Sequence, residues 1–139
     1  MFEKIISNES NSFYKIDKNE IYEAENRMHI KMPYELKCFY ESVGVGFIGS
    51  QDGAINRLLS PNICTDIRLR EDIYEYDPDL EMYVEFEEMA MIFFEINEGV
   101  YASIELNEGT QSRIFFANEV IANSLQEFLE KIADSNYWN

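Results

Sequence analysis

Basic residues are scarce in this 139-residue chain. Eleven lysines and arginines stand against 27 aspartates and glutamates, a formal net charge of −16. Between Arg70 and Arg113 there is no basic residue, while residues 71–112 carry thirteen acids. Such a surface repels phosphate, so nucleic acid is excluded as a partner by the same counterion physics that drives its binding to cationic proteins. Anionic membranes are repelled in the same way, and no apolar run approaches the ~20 residues of a membrane-spanning helix. The opening MFEKIISNES lacks the apolar core of a signal peptide, which sets the expectation of a cytoplasmic protein. His29 is the only histidine. A Ser–His or Cys–His nucleophilic system therefore has one available base, and that base sits at a helix exit where a capping or surface role fits. The two cysteines, Cys38 and Cys64, form neither a disulfide framework nor a metal-ligand spacing; they read as small buried apolar residues. H-E-x-x-H, G-x-S-x-G and P-loop motifs are missing, and no cofactor motif takes their place. The expectation is a protein that is not an enzyme.

Apolar material is plentiful. At 46% apolar residues, with ten Phe and nine Tyr, residues 1–139 suit a single domain around one core. Helical spacing with Asp17 as N-cap predicts a helix over DKNEIYEAENRMH. KMPYELKCFYESVG predicts a second, with Pro33 at its first position, a Leu36/Phe39/Tyr40/Val43 stripe and Gly44 as its left-handed cap. GVGFIGSQDGAINRLL reads as two short strands around a Gln51-Asp52-Gly53 turn. Its Gly44, Gly46 and Gly49 spell G-x-G-x-x-G, but after a helix and before a hairpin, the wrong context for dinucleotide binding. Ser60-Pro61 opens a short third helix. MIFFEINEGVYASIEL alternates as a hairpin about Asn97-Glu98-Gly99, with RIFFA as a further strand. A capping box, Ser124 with Glu127, starts a closing helix. Strands in hairpins with helices at the N- and C-terminal ends predict an α+β fold with a mainly antiparallel sheet.

The stretch 75–88, EYDPDLEMYVEFEE, holds seven carboxylates and no base. Pro78 predicts an exposed loop there, with a strand or edge toward Met82–Phe86. Three chemistries compete. A hydrolytic carboxylate pair needs an apolar pocket that raises one pKa, the opposite of a solvated charge run. A calcium loop matches the acid spacing from Asp77 to Glu88 but needs glycine where Met82 stands. A basic protein partner needs carboxylates to steer encounter and aromatic anchors to slow dissociation. The last fits best, and Asp72, Tyr74, Glu75, Tyr76, Asp77, Asp79, Glu81, Tyr83 and Glu85 are its candidate contacts. The glycine hairpin 46–57 and a sheet face at Phe93 and Tyr101 are the alternative surfaces.

Taken in order, IYEAENRMHIKMP, YELKCFYESVGVGFI, LLSPNICTDIR, IFFEINEGVYASIEL and ANSLQEFLEKI resemble the SUKH superfamily, the SMI/KNR-type domain, over nearly the whole chain. Gly44-Val45-Gly46 stands where that family usually has a double glycine. The resemblance implies an α+β domain that binds other proteins. In bacteria this is commonly an immunity protein against the toxin domain, often a nuclease, of a polymorphic or contact-dependent toxin system. It implies no catalytic residues, and structural roles only for Pro33, Leu36, Phe39, Gly44 and Ser124. A general protein-interaction or regulatory scaffold is the alternative, followed by a calcium-binding or hydrolytic module using 75–88. Self-association is left open.

Overall fold

The sheet begins where two glycines let two strands touch. In the computed structural model, which describes residues 1–49 and 54–134, β1 (Ser12–Tyr14) pairs antiparallel with β2 (Val45–Phe47). Gly44 and Gly46 have φ of +116° and +154°, and a Cβ at either would collide with a β1 carbonyl oxygen, of Tyr14 or Ser12. Gly44 also donates its N–H to Phe39 O (3.0 Å), capping the helix before it. The Gly44-Val45-Gly46 spelling thus serves a helix cap and a close strand approach. β2 pairs with β3 (Arg57–Leu58), as the hairpin reading requires; its Gln51-Asp52-Gly53 turn lies outside the described residues. β4 (Ala90–Asn97), β5 (Val100–Glu105), β6 (Ile114–Phe116) and β7 (Glu119–Ala122) complete a seven-stranded antiparallel meander in chain order.

The helices begin and end on the expected residues, with one shift. Asp17 accepts the Asn19 N–H (2.9 Å) to open α2 (Lys18–Met28), and His29 closes it at φ +59°. In α3 (Tyr34–Ser42), Pro33 precedes the helix with an extended ψ of 144° instead of occupying its first turn. Ser60 accepts the Ile63 N–H (3.2 Å) and Pro61 starts α4 (Pro61–Leu69). In α5 (Leu125–Asp134), Ser124 Oγ accepts the Glu127 N–H (3.1 Å), while the Glu127 carboxylate reaches back to the Asn123 N–H. The opening residues form α1 (Glu3–Ser7), whose Phe2 packs edge-on against Phe39 at 4.9 Å. This is the α+β fold expected from the sequence, with helices at both ends of a large antiparallel sheet.

A bulge in β4 redirects its side chains. Ile92 pairs with Ser103 and Phe94 with Ala102, leaving Phe93 as the extra residue. Phe93 and Phe94 consequently both reach Phe128 of α5, at 5.9 and 5.0 Å between ring centroids, where strict alternation would have parted them. Phe93 and Tyr101 are buried, at 0% and 4% exposure, which closes the sheet face proposed as an alternative docking surface.

Two buried polar side chains of α3 tie it to segments across the core. Glu35, 3% exposed, accepts the N–H groups of Ser112 (2.9 Å) and Leu125 (3.1 Å) through one oxygen. It therefore caps the first turn of α5 from across the core. Tyr40 donates to Leu59 O (2.7 Å) and lies 3.5 Å from Cys64 Sγ. Burial pushes the Cys64 thiol up to about 12.

Glu35→Ala strands two buried N–H donors and should lower stability by about 2–4 kcal/mol in urea unfolding, with Glu35→Gln, which keeps an acceptor oxygen, losing less. At pH 8 a thiol titrating at about 12 holds a thiolate fraction on the order of 10⁻⁴. A thiol reagent should accordingly label half-exposed Cys38 and reach Cys64 only on unfolding.

Candidate partner-binding surface

The acidic stretch folds because a third of it is apolar at the right period. Asp77 accepts the Asp79 N–H (3.0 Å), Pro78 occupies the first position, and residues Pro78–Phe86 form a 3-10 helix. That helix has three residues per turn, so Leu80, Tyr83 and Phe86 stack on one side. Leu80 is fully buried and Tyr83 is 2% exposed. The expected loop and edge strand are therefore replaced by helix. Proline is at home in a first helical turn, and the i, i+3, i+6 apolar spacing was the signal that a search for alternation and 3.6-residue periods passes over.

This helix lids the outer face of the sheet. The Tyr83 ring meets Tyr101 edge-on at 5.8 Å, and its hydroxyl accepts the Tyr101 N–H at 2.9 Å, beside the irregularity between Glu95 and Asn97 in β4. Burial raises the Tyr83 phenol above its ordinary value. At the hairpin tip Gly99 (φ +74°) leaves room for Asp79, whose Oδ2 would stand 2.5 Å from a Cβ there.

Two arginines at the end of α4 hold the segment from the other side. Arg68 donates to Glu87 O (2.8 Å) and Ala90 O (3.4 Å). Arg70 donates to Ile67 O and Leu80 O and pairs with the Glu87 carboxylate. Its backbone at φ +55°, like that of Asp72 at +56°, turns the chain out of the helix into a second, short 3-10 helix, Asp72–Tyr74. Arg27 bridges Asp66 (2.9 Å) and Glu71 (3.1 Å). The nearest cations thus bind carbonyls, the flanking Asp66 and Glu71, and Glu87 near the end of the stretch.

The candidate contacts divide accordingly. Asp72, Glu75, Asp79, Glu81 and Glu85 are exposed, Asp77 is half-buried, and none of the six forms an ion pair among the described residues. Tyr76 is 87% exposed and Tyr74 half-buried. Tyr83 does not belong with them: it is an inward anchor of the lid, placed there by the 3-10 period. Sequence reasoning missed Ile73, Met82 and Val84, at 76%, 47% and 54% exposure, which put apolar area among the carboxylates. Among the described residues no group of three or more His, Cys, Asp or Glu is placed to bind a metal ion. No helix among them is long and apolar enough to cross a membrane.

The SMI1 / KNR4 family (SUKH-1) matches residues 15–131. The chain is also similar to the immunity protein YxxD of Bacillus subtilis (strain 168), 42% identical over 134 residues, which cover 96% of this chain and 91% of that protein. No solved structure matches it.

Tyr83→Phe removes the acceptor for the Tyr101 N–H and should cost about 1–2 kcal/mol of stability, with faster hydrogen exchange at the Tyr101 amide. Arg70→Ala should raise exchange across residues 78–90 while leaving α2, α3 and α5 protected.

Proposed function

Because the chain belongs to the SMI1 / KNR4 family (SUKH-1), we propose that it is an immunity protein that binds and neutralises a protein toxin domain in the cytoplasm, without catalysis of its own. The observation that carries this reading is the 42% identity over 96% of the chain to a protein named as an immunity protein. The finer part of the proposal is that the toxin domain is basic, as a nuclease is, because its own substrate is anionic. The unpaired carboxylates of 72–85 supply the opposite charge. Complementary fields raise association rates toward ~10⁸–10⁹ M⁻¹s⁻¹ at low salt and fall off with ionic strength. Tyr76, Ile73, Met82 and Val84 supply apolar contact within that field, which slows dissociation. The lid's attachment to the sheet matters here, since a surface already ordered loses less freedom on binding.

Co-expression with candidate basic toxin domains, taken from whatever toxin-like frames neighbour its gene, tests the reading: with the cognate one growth should be restored, and the two proteins should purify as a complex. Glu75→Lys, Glu81→Lys and Glu85→Lys together spare Asp77, which caps the 3-10 helix, and Asp79, which abuts Gly99. That variant should bind on the order of tenfold or more weakly, with a flatter salt dependence. Unchanged affinity and salt slope would move the interface off this surface, and a toxin domain that neither binds nor is neutralised would leave a scaffold role.

A further inference from the structure

We propose that the groove beside the acidic 3-10 helix receives an arginine side chain of the partner, an inference that rests on the basic protein partner proposed above. The groove is lined by two kinds of group, the apolar Tyr76, Pro78 and Val84 and the acidic Glu75, Asp77 and Glu81. Single exposed apolar side chains are ordinary on a protein surface; here an 87% exposed tyrosine ring and a 54% exposed valine line the same depression as three carboxylates. That pairing matches a side chain with an apolar stem and a cationic tip, which buries the one while keeping the other among polar groups.

Among cations the chemistry selects arginine. A guanidinium is flat, so it stacks on an exposed tyrosine face, and it is more weakly hydrated than an ammonium. Its fork of N–H donors meets carboxylates two at a time. A bare metal ion would leave the apolar lining unused, and an anion or a wholly apolar segment would meet the carboxylates unfavourably. Arg70 also lines the groove, but its guanidinium is held by Glu87 and by the carbonyls of Ile67 and Leu80. The three rim carboxylates make no ion pair among the described residues, which leaves their charge for an incoming group.

Capped arginine (N-acetyl-arginine amide) titrated into the whole protein and followed by NMR tests this without a toxin. The expected result is saturable shifts at the Tyr76 ring and Val84 methyls, with capped lysine weaker and capped citrulline, the neutral isostere, silent. Tyr76→Ser should weaken arginine binding by roughly fivefold, and Tyr76→Phe, which keeps the ring, should not. Shifts that fail to saturate, that spread evenly over all exposed carboxylates, or that citrulline reproduces would overturn the groove. The two readings fail separately. Arginine binding in a chain that neutralises no toxin keeps the groove and drops the immunity role; neutralisation without arginine binding does the reverse.

Discussion

The burial of Leu80 and Tyr83 in the core, with Tyr83 seated on Tyr101 of β5, is the contact on which the acidic surface depends. Without it, a run of seven carboxylates with no base among them would repel itself into an extended, solvated loop. With it, the three-residue period of the 3-10 helix turns Leu80 and Tyr83 inward and leaves Asp79, Glu81 and Glu85 exposed. Tyr83 adds direction to that burial, because its hydroxyl takes the Tyr101 N–H and pins the helix to a particular point on β5. Runs of 3-10 helix longer than a few residues are uncommon because their hydrogen bonds are poorly aligned. Here the tertiary contacts carry the segment.

Charge is arranged along the same line. Arg68 and Arg70 lie next to the acidic span in sequence and could have neutralised it, yet they bind the carbonyls of Ile67, Leu80, Glu87 and Ala90 and, of its seven carboxylates, that of Glu87. Cations so placed fasten the segment while leaving the outward carboxylates unpaired. Glu35 shows the opposite use of an acid. Buried and facing backbone N–H groups, it joins α3 to the start of α5 across the core, as a buried carboxylate must if its desolvation is to be offset.

Much of the framework was legible from local chemistry. Asp17, Ser60 and Ser124 sit at the helix starts they predict, Gly44 caps the helix it should, and the Asn97-Glu98-Gly99 turn joins two paired strands. These features depend on a few neighbouring residues. What escaped was non-local. β1 is three residues whose partners lie 31 to 35 positions on, and β7 carries no strong alternation. The β4 bulge turns Phe93 to the side its position in the alternation denied it, because Phe128 receives both rings.

By itself the sequence determined the fold class, the helix ends, the family resemblance and the sign of the surface, since each follows from composition or from contacts within a few residues. Tertiary structure decided which residues of the acidic stretch face out. Both tyrosines lie in the acidic run, Tyr76 between Glu75 and Asp77 and Tyr83 between Met82 and Val84. One is 87% exposed and the other 2%, because only Tyr83 falls on the period that meets Tyr101, and that meeting requires the whole sheet.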